Sequence, residues 1–588
     1  MKKYIIIGIS LATALFTLAS CNQSLLDIPK KGVIAYESFY DGSAESAESA
    51  TLNAYAAGIK AYNLGAAFSP HVIAPAYHVI TNAPSDDSYY GSGSEGDHVF
   101  GLEINEFRKS FGSNSSVVTN DYKGFYQFIY ACNLVIDNFD PAAGGTIAKN
   151  VAEARVLRAL AHLHLAIFWG NPPKVDHILA ADAHPTNCDH VELLKWIATE
   201  CEEASSVLPS RNGKNDKNGA IRLTKEAALA LAGKALVFAG DYAGAKTDLG
   251  KVIASNNYDL VPGEDMWNMF HRAGDGSPEK VFEFNYVDNT NLSAFGGFRH
   301  FQRSQSCFWR DLRKLPMPFF QKNDAWGGGG NPSESFVNAI LANEPNSYRR
   351  KAWIISYKEL LTDYEYLLDE EDTEWQGKTY HVKADKDMNE AEKLLDPRRG
   401  LTASKYFGNI GWFLIKYAPL ETELNQNSKD ANDNNTPVMR YAEVLLLYAE
   451  ACAQLGENGG DGLTALNKVA SRAGAPTYAT LTLDNVKKEK RFEMYMEGCR
   501  FPDLVRWGDA ATVLKDQYKE IPSFKDPFDP AKGTPHSAVP FISDTREAGD
   551  YGFVAGKNEY MPYPLGELQL NVYNEETGEG IQQNPGWN

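Results

Sequence analysis

The sequence is poor in the patterns that mark catalytic or metal chemistry. Its seven cysteines, Cys21, Cys132, Cys188, Cys201, Cys307, Cys452 and Cys499, form no CxxC pair and no metal-binding spacing. Most of those after Cys21 fall in helical, apolar contexts, so buried free thiols are expected rather than disulfides. His162 and His164 stand two apart on a helical stretch and point away from each other, a poor metal pair. Asp430-Ala431-Asn432-Asp433-Asn434-Asn435 has oxygen enough for Ca²⁺ but lacks the glycine and the final glutamate of an EF-hand loop, so it reads as a solvated turn. No metal and no other cofactor is expected. Glu443 and Glu450 are seven apart on one helix face, about 10.5 Å along the axis. Neighbouring arginines make them structural ion pairs, no motif singles out a catalytic carboxylate pair, and enzymatic activity is not expected.

Positive charge is also short. Against 76 acidic residues stand 57 basic ones, a net charge of -19. Loss of Lys2 and Lys3 with a leader makes the mature chain more negative still, which disfavours nucleic acid as a partner. Beyond the amino terminus no segment is apolar and long enough to span a bilayer.

What is present begins with an export signal. Lys2 and Lys3 precede an apolar run from Tyr4 to about Ala19, shorter than the roughly 20 residues a spanning helix needs, and Leu18-Ala19-Ser20-Cys21 resembles a bacterial lipobox. Residues 1–20 are therefore expected to be a signal peptide, Cys21 the lipidated residue and 21–31 a tether. Acyl chains on Cys21 contribute about 0.8 kcal/mol per buried CH₂, enough to hold the protein on a membrane.

The chain is organised around Arg222–Leu260, whose pattern predicts two antiparallel helices. Thr224 is the predicted N-cap, Glu226 sits in the first turn, and Gly240-Asp241 makes the stop. Leu229, Ala232 and Leu236 line one face of the first helix; Tyr242, Ala245, Leu249, Val252 and Ile253 line one face of the second. Small residues at facing positions allow the close approach seen in tetratricopeptide-like hairpins, and one such hairpin cannot bury its own apolar face. Further helices are expected over Ser43–Leu64, through Tyr122 to Ile136, over Ile147–Trp169, over Val191–Leu208, over Val438–Gly456, through Leu466 and Val469, and from Asp484 onward. Val281–Tyr286 alternates as a strand would.

Two stretches look irregular and aromatic. Ala67–Ser116 reads as a long loop carrying Asp86, Asp87, Tyr89 and Tyr90 before a glycine-serine run; Asn289–Gly411 is irregular with scattered short helices and carries Trp309, Arg310, Asn323, Asp324 and Trp326 before four glycines. Ring faces beside carboxylates and amides suit a carbohydrate, whose C–H faces stack on the rings while its hydroxyls take the polar groups. The competing reading is that these aromatics cover the helices or plug the core beneath long loops.

Ordered motifs then give a resemblance. Leu25-Leu26-Asp27 after the lipobox, Ala152-Glu153-Ala154-Arg155 with Leu157-Arg158-Ala159, and Arg222-Leu223-Thr224-Lys225 are followed by Arg440-Tyr441-Ala442-Glu443 with Tyr448-Ala449-Glu450-Ala451. Leu466-Asn467 to Arg472-Ala473-Gly474, Glu497-Gly498 with Arg500, Asp503-Leu504 and Arg506-Trp507, and Gln583-Asn584-Pro585-Gly586-Trp587 complete the series. Together they resemble the SusD/RagB family of nutrient-capturing surface lipoproteins. Gly170-Asn171-Pro172-Pro173 and Glu489-Lys490-Arg491 depart from the usual Gly-Asp-x-Pro and Glu-Arg-Arg. The resemblance implies a mainly α fold, tetratricopeptide-like hairpins packed against an irregular loop-rich ligand-binding subdomain with few short strands. Residues 32–588 would form one such domain, its scaffold mainly 117–260 and 438–510 and its ligand-binding portion mainly 67–116 and 261–437. It further implies a non-catalytic, outer-membrane, cell-surface lipoprotein that hands a glycan to a SusC-like TonB-dependent transporter. Tyr89, Tyr90, Trp309 and Trp326 would stack on sugar rings, and Asp86, Asp87, Arg310, Asn323 and Asp324 would meet hydroxyls. A peptide-capturing, RagB-like member is the nearer alternative and a glycoside hydrolase the further one.

Overall fold

The computed structural model describes residues 36–63, 65–69, 72–91, 99–286, 329–363, 368–401, 405–418, 420–423, 434–515, 519–545 and 550–587. The longer helices, in chain order, are α1 (Ala44–Asn63), α2 (Ser116–Asn138), α3 (Gly145–Trp169), α4 (His190–Ser205), α5 (Lys225–Phe238), α6 (Tyr242–Ala254), α7 (Glu334–Asn343), α8 (Tyr441–Gln454), α9 (Gly460–Arg472) and α10 (Leu483–Glu493). Apart from α7, each packs mainly on others near it in the series: α1 on α2 and α3, α2 on α3, α3 on α4, α4 on α5, α5 on α6, α6 on α8, α8 on α9 and α10. The fold is mainly α, and this succession of hairpins buries the face that no single hairpin can bury alone.

Local chemistry sets the helix ends. Thr224 Oγ1 accepts from the Ala227 N–H at 3.2 Å and starts α5; Asp241 accepts from the Gly244 N–H at 2.9 Å and starts α6. Between them Gly240 adopts φ +76°, a left-handed turn that costs a glycine little. Gly233 on α5 faces Leu249 on α6 so closely that a Cβ there would stand 2.5 Å from the leucine Cγ. The small residues do bring the two helices together.

The motif residues join these helices. Arg222, ahead of α5, donates to Glu153 of α3 at 2.8 and 2.9 Å and to Glu48 of α1 at 2.6 Å, while the Tyr55 hydroxyl donates to Glu153 at 2.6 Å. Arg506 pairs with Glu450, and Lys234 pairs with Glu443 at 2.8 Å. Both carboxylates are thus the structural ion pairs expected of them, Glu443 with a lysine rather than an arginine. His162 and His164 are buried and separately engaged: the Val175 N–H donates to His162 Nε2 at 3.1 Å, and His164 meets Asp121 at 2.6 Å. Cys132, Cys201 and Cys452 are buried free thiols, and Cys188 and Cys499 are half-buried ones. Cys21 and Cys307 lie outside the described residues.

Strands are short. They are β1 (Gly65–Ser69), β2 (Val72–Pro75), β3 (Ser88–Tyr90), β4 (Lys280–Phe284), β5 (Gly329–Pro332), β6 (Ile354–Ser356), β7 (Glu371–Trp375), β8 (Lys378–Val382), β9 (Tyr406–Phe407), β10 (Trp412–Leu414), β11 (Thr436–Arg440), β12 (Glu520–Lys525) and β13 (Val539–Thr545). They pair antiparallel as β1–β2, β3–β5, β4–β11, β6–β10 and β7–β8, with β9–β12–β13 as a three-stranded sheet.

Three expectations need correction. Ala67–Ser116 is not one long loop: it holds β1, β2 and β3, a helix over Ala76–Asn82 and another over Val99–Asn105. Asn434 and Asn435 are buried rather than solvated; Asn434 donates to Glu423 at 3.1 Å and Asn435 to Glu283 at 2.8 Å. The helical run from Asp484 is broken, because α10 ends at Glu493 and Met496 takes φ +59° before a separate helix at Arg500–Arg506.

Candidate functional site

The two aromatic stretches meet. β3 and β5 pair with Ser88 opposite Pro332, Tyr89 opposite Asn331 and Tyr90 opposite Gly329. The stretch containing Tyr89 and Tyr90 and the segment ending in four glycines therefore issue from one two-stranded ladder. Trp309, Arg310, Asn323, Asp324 and Trp326 lie outside the described residues, between β4 and β5.

Three asparagines tie this ladder down. Asn105 Oδ1 accepts from the Tyr90 N–H at 3.1 Å, and its amide donates to Ala83 O at 2.6 Å and Ser88 O at 3.1 Å. Asn331 donates to Gly91 O at 3.3 Å, and Asn409 donates to Asn331 Oδ1 at 3.0 Å. Ser333, which caps α7, donates to Asp86 O at 2.6 Å. Buried amides that satisfy backbone groups in this way stiffen the ladder. No periodicity or motif marks Asn105, Asn331 or Asn409, since each acts through contacts distant in sequence.

The four described candidates are not exposed ligand contacts. Asp86 accepts from Arg500 at 2.7 and 2.9 Å, and Asp87 from Arg491 at 2.7 Å. Burial raises the cost of charge on Asp86, but Arg491 and Arg500 outweigh it and hold its carboxyl below the usual range; burial keeps Asp87 above it. Tyr89 is 8 % exposed and Tyr90 4 %, and the Tyr90 ring occupies the space that a side chain at Gly101 would need. Carboxylates paired with arginines and a Tyr90 ring packed on Gly101 hold the fold together around the β3–β5 ladder. The sequence shows the residue types but not their partners, hundreds of positions away.

A larger ion cluster joins this portion to the helical scaffold. Arg440 reaches Glu279 at 2.5 Å, Glu493 at 3.1 Å and Glu497 at 2.6 Å; Arg472 reaches Glu279 and Glu493 at 2.6 Å each; Lys416 meets Glu497 at 2.6 Å. Arg349 pairs with Glu344 at 2.5 Å and with Glu489. Such charges persist in a core only when mutually satisfied.

Two cavities stand out. A chamber of about 100 Å³ lies among the helices, with Lys234, Glu443, Cys499 and Tyr77 on its wall. Burial pushes the Cys499 thiol up. At that size the chamber is smaller than the roughly 300–1,000 Å³ of ordinary ligand clefts. An open groove of about 400 Å³ runs between the end of α3, the start of α4 and residues 582–585. No cluster of His, Cys, Asp and Glu suited to a metal occurs among the described residues, and no described helix is long and apolar enough to cross a membrane.

The described residues form a helical-repeat scaffold with the β3–β5 ladder tied onto it. The chain belongs to the SusD family: that family's pattern matches residues 319–587, and the pattern described as "Starch-binding associating with outer membrane" matches residues 73–236. It is 22% identical over 544 residues to a SusD-like protein of Formosa agariphila, covering 87% of this chain and 94% of that one. A SusD-like protein of Bacteroides ovatus is 23% identical over 534 residues, 84% of this chain and 81% of that one. Among solved structures, surface glycan-binding protein A from Bacteroides thetaiotaomicron in complex with laminarihexaose aligns with TM-score 0.66 at 21% identity, covering 92% of this chain and 99% of that one. A laminarin binding SusD-like protein aligns with TM-score 0.64 at 22% identity over 92% and 99%. These likenesses establish the fold.

Proposed function

We propose that this protein is a non-catalytic glycan-binding protein of the cell surface, held on the outer membrane by lipid on Cys21 and delivering its ligand to a TonB-dependent transporter. The β3–β5 ladder carries the reading: it pairs the strand holding Tyr89 and Tyr90 with Gly329–Pro332, the strand that Trp309 and Trp326 precede in sequence. Family membership and likeness to proteins named for glycan and laminarin binding support the ligand class. The locked state of Glu443 and Glu450 supports a binding role over a hydrolytic one.

The test is affinity electrophoresis of the mature protein, without lipid, against host and plant polysaccharides, with calorimetry and a peptide mixture alongside. Retardation by one glycan class with no released product is expected. Silence on every glycan with retention of peptide, or appearance of hydrolysis product, overturns the reading.

A further inference from the structure

The groove at the end of α3 is built from amides. Asn187 Oδ1 accepts from the Gln582 N–H at 2.7 Å, and its amide donates to Asn171 O at 2.8 Å. Gln583 Oε1 accepts from the Tyr563 and Asn584 N–H groups at 2.9 and 2.8 Å. Asn584 donates to Trp169 O at 3.0 Å and Met561 O at 2.7 Å. These three side chains fix the wall and spend their polar atoms on it.

Three others keep theirs. Asn171, Gln582 and Asp189 are exposed at the groove. The Asn171 and Gln582 amides make no protein hydrogen bond among the described residues, while Asp189 uses Oδ1 to cap α4 at 3.0 Å from Val191 N and Glu192 N. An amide offers donors and an acceptor side by side, which suits adjacent hydroxyls. Asn171 is also where the chain departs from the usual aspartate, replacing an acceptor-only group by one that donates as well. Among the described residues no lysine, arginine or histidine lines the groove and Asp189 does, which disfavours an anion. A peptide would need a free strand edge or apolar side-chain pockets, and the lining offers only Cys188 and Pro585 as less polar surface. At about 400 Å³ the groove is within the size range of ligand clefts.

We propose that this groove is a second saccharide site, separate from the β3–β5 frame, in which Asn171, Gln582 and the free oxygen of Asp189 hold the hydroxyls of a neutral sugar. It shares no lining residue with the frame described above. The choice of ligand class rests on the glycan-binding reading.

Cys188, half-buried in the groove wall, reports occupancy. Burial pushes its thiol up, so labelling with N-ethylmaleimide is followed at mildly alkaline pH by peptide mass spectrometry. The probes are laminarihexaose, maltohexaose, xylohexaose and mannohexaose, with triglycine as the peptide control, applied to the wild type, Asn171→Ala/Gln582→Ala and Trp309→Ala. At a saccharide concentration about ten times Kd, mass action predicts about tenfold slower labelling of Cys188. This protection is expected in the wild type and Trp309→Ala and is lost in the double variant. Unchanged labelling with every saccharide, protection by triglycine alone, or protection that survives the double substitution overturns the proposal. Affinity electrophoresis on the same panel separates the two readings: retardation without Cys188 protection removes the groove site alone, and silence in both assays removes glycan binding with it.

Discussion

Arg500 holds Asp86 through two parallel bonds, Nε to Oδ1 at 2.7 Å and Nη2 to Oδ2 at 2.9 Å, across 414 positions of sequence. The pair fastens the stretch before β3 to the helix that follows α10. Removing Arg500 leaves the buried Asp86 and Asp87 to share Arg491 alone, so Arg500→Met is expected to destabilise the fold by about 1–3 kcal/mol. Asp86→Asn is expected to lower the melting temperature and leave oligosaccharide affinity unchanged in the protein that remains folded. Wild-type stability with lost glycan binding in Asp86→Asn would return this carboxylate to the ligand.

The α5–α6 contact gives a second, purely steric test. A Cβ on Gly233 meets Leu249 Cγ at 2.5 Å, and overpacking of this kind costs about 1–3 kcal/mol. Gly233→Ala should therefore lower stability in urea unfolding, and Leu249→Val in the same chain should recover part of the loss. Strict additivity of the two substitutions would mean that the helices do not touch there.

The scaffold was legible because its signals are local. Thr224 caps the helix it was expected to cap, Gly240-Asp241 makes the expected stop, with Asp241 also capping α6, and Gly233 of α5 lies against Leu249. The neighbourhood of the site was less legible because its order is non-local. Asp86 and Asp87 look like exposed loop carboxylates until Arg491 and Arg500 arrive from the far end of the chain, and Asn105 becomes structural only when β3 lies against it. Polar residues and glycines in Ala67–Ser116 suggest a loop, yet burial of those same polar groups against one another forms short strands and helices. The groove is illegible in the sequence for the same reason: Asn171 and Gln582 are brought together through Asn187.

Asp86, Asp87, Tyr89 and Tyr90 are buried, so the stacking proposed for the glycan is tested at Trp309 and Trp326. Trp309→Ala and Trp326→Ala should each weaken oligosaccharide binding by about 0.5–1.5 kcal/mol beyond lost area, roughly two- to tenfold in Kd. Their melting temperatures should stay near that of the wild type. A large fall in melting temperature without a specific loss of binding, read by calorimetry on both variants, would make them core residues.

Acid tests the ion cluster. Burial opposes the charge of Glu493, but Arg472, Arg440 and Arg349 more than offset it and take its pKa down to about 2. Unfolded, the same carboxyl titrates near about 4.3. Between those values the unfolded chain binds the extra proton, so stability falls as pH falls. The contribution of Glu493 is fully present above about pH 4.5 and is lost progressively toward pH 2. Glu493→Gln should cost about 3–5 kcal/mol at neutral pH, because Arg440 and Arg472 lose a shared carboxylate in the core. It should also flatten the dependence of unfolding free energy on pH between about 4.5 and 2, since the amide has no proton to gain. Urea unfolding of both proteins at pH 7, 4.5 and 3 measures the difference. Parallel curves, with the variant displaced but no flatter, would show that other carboxylates carry the acid sensitivity and that Glu493 is not held as the three arginines require.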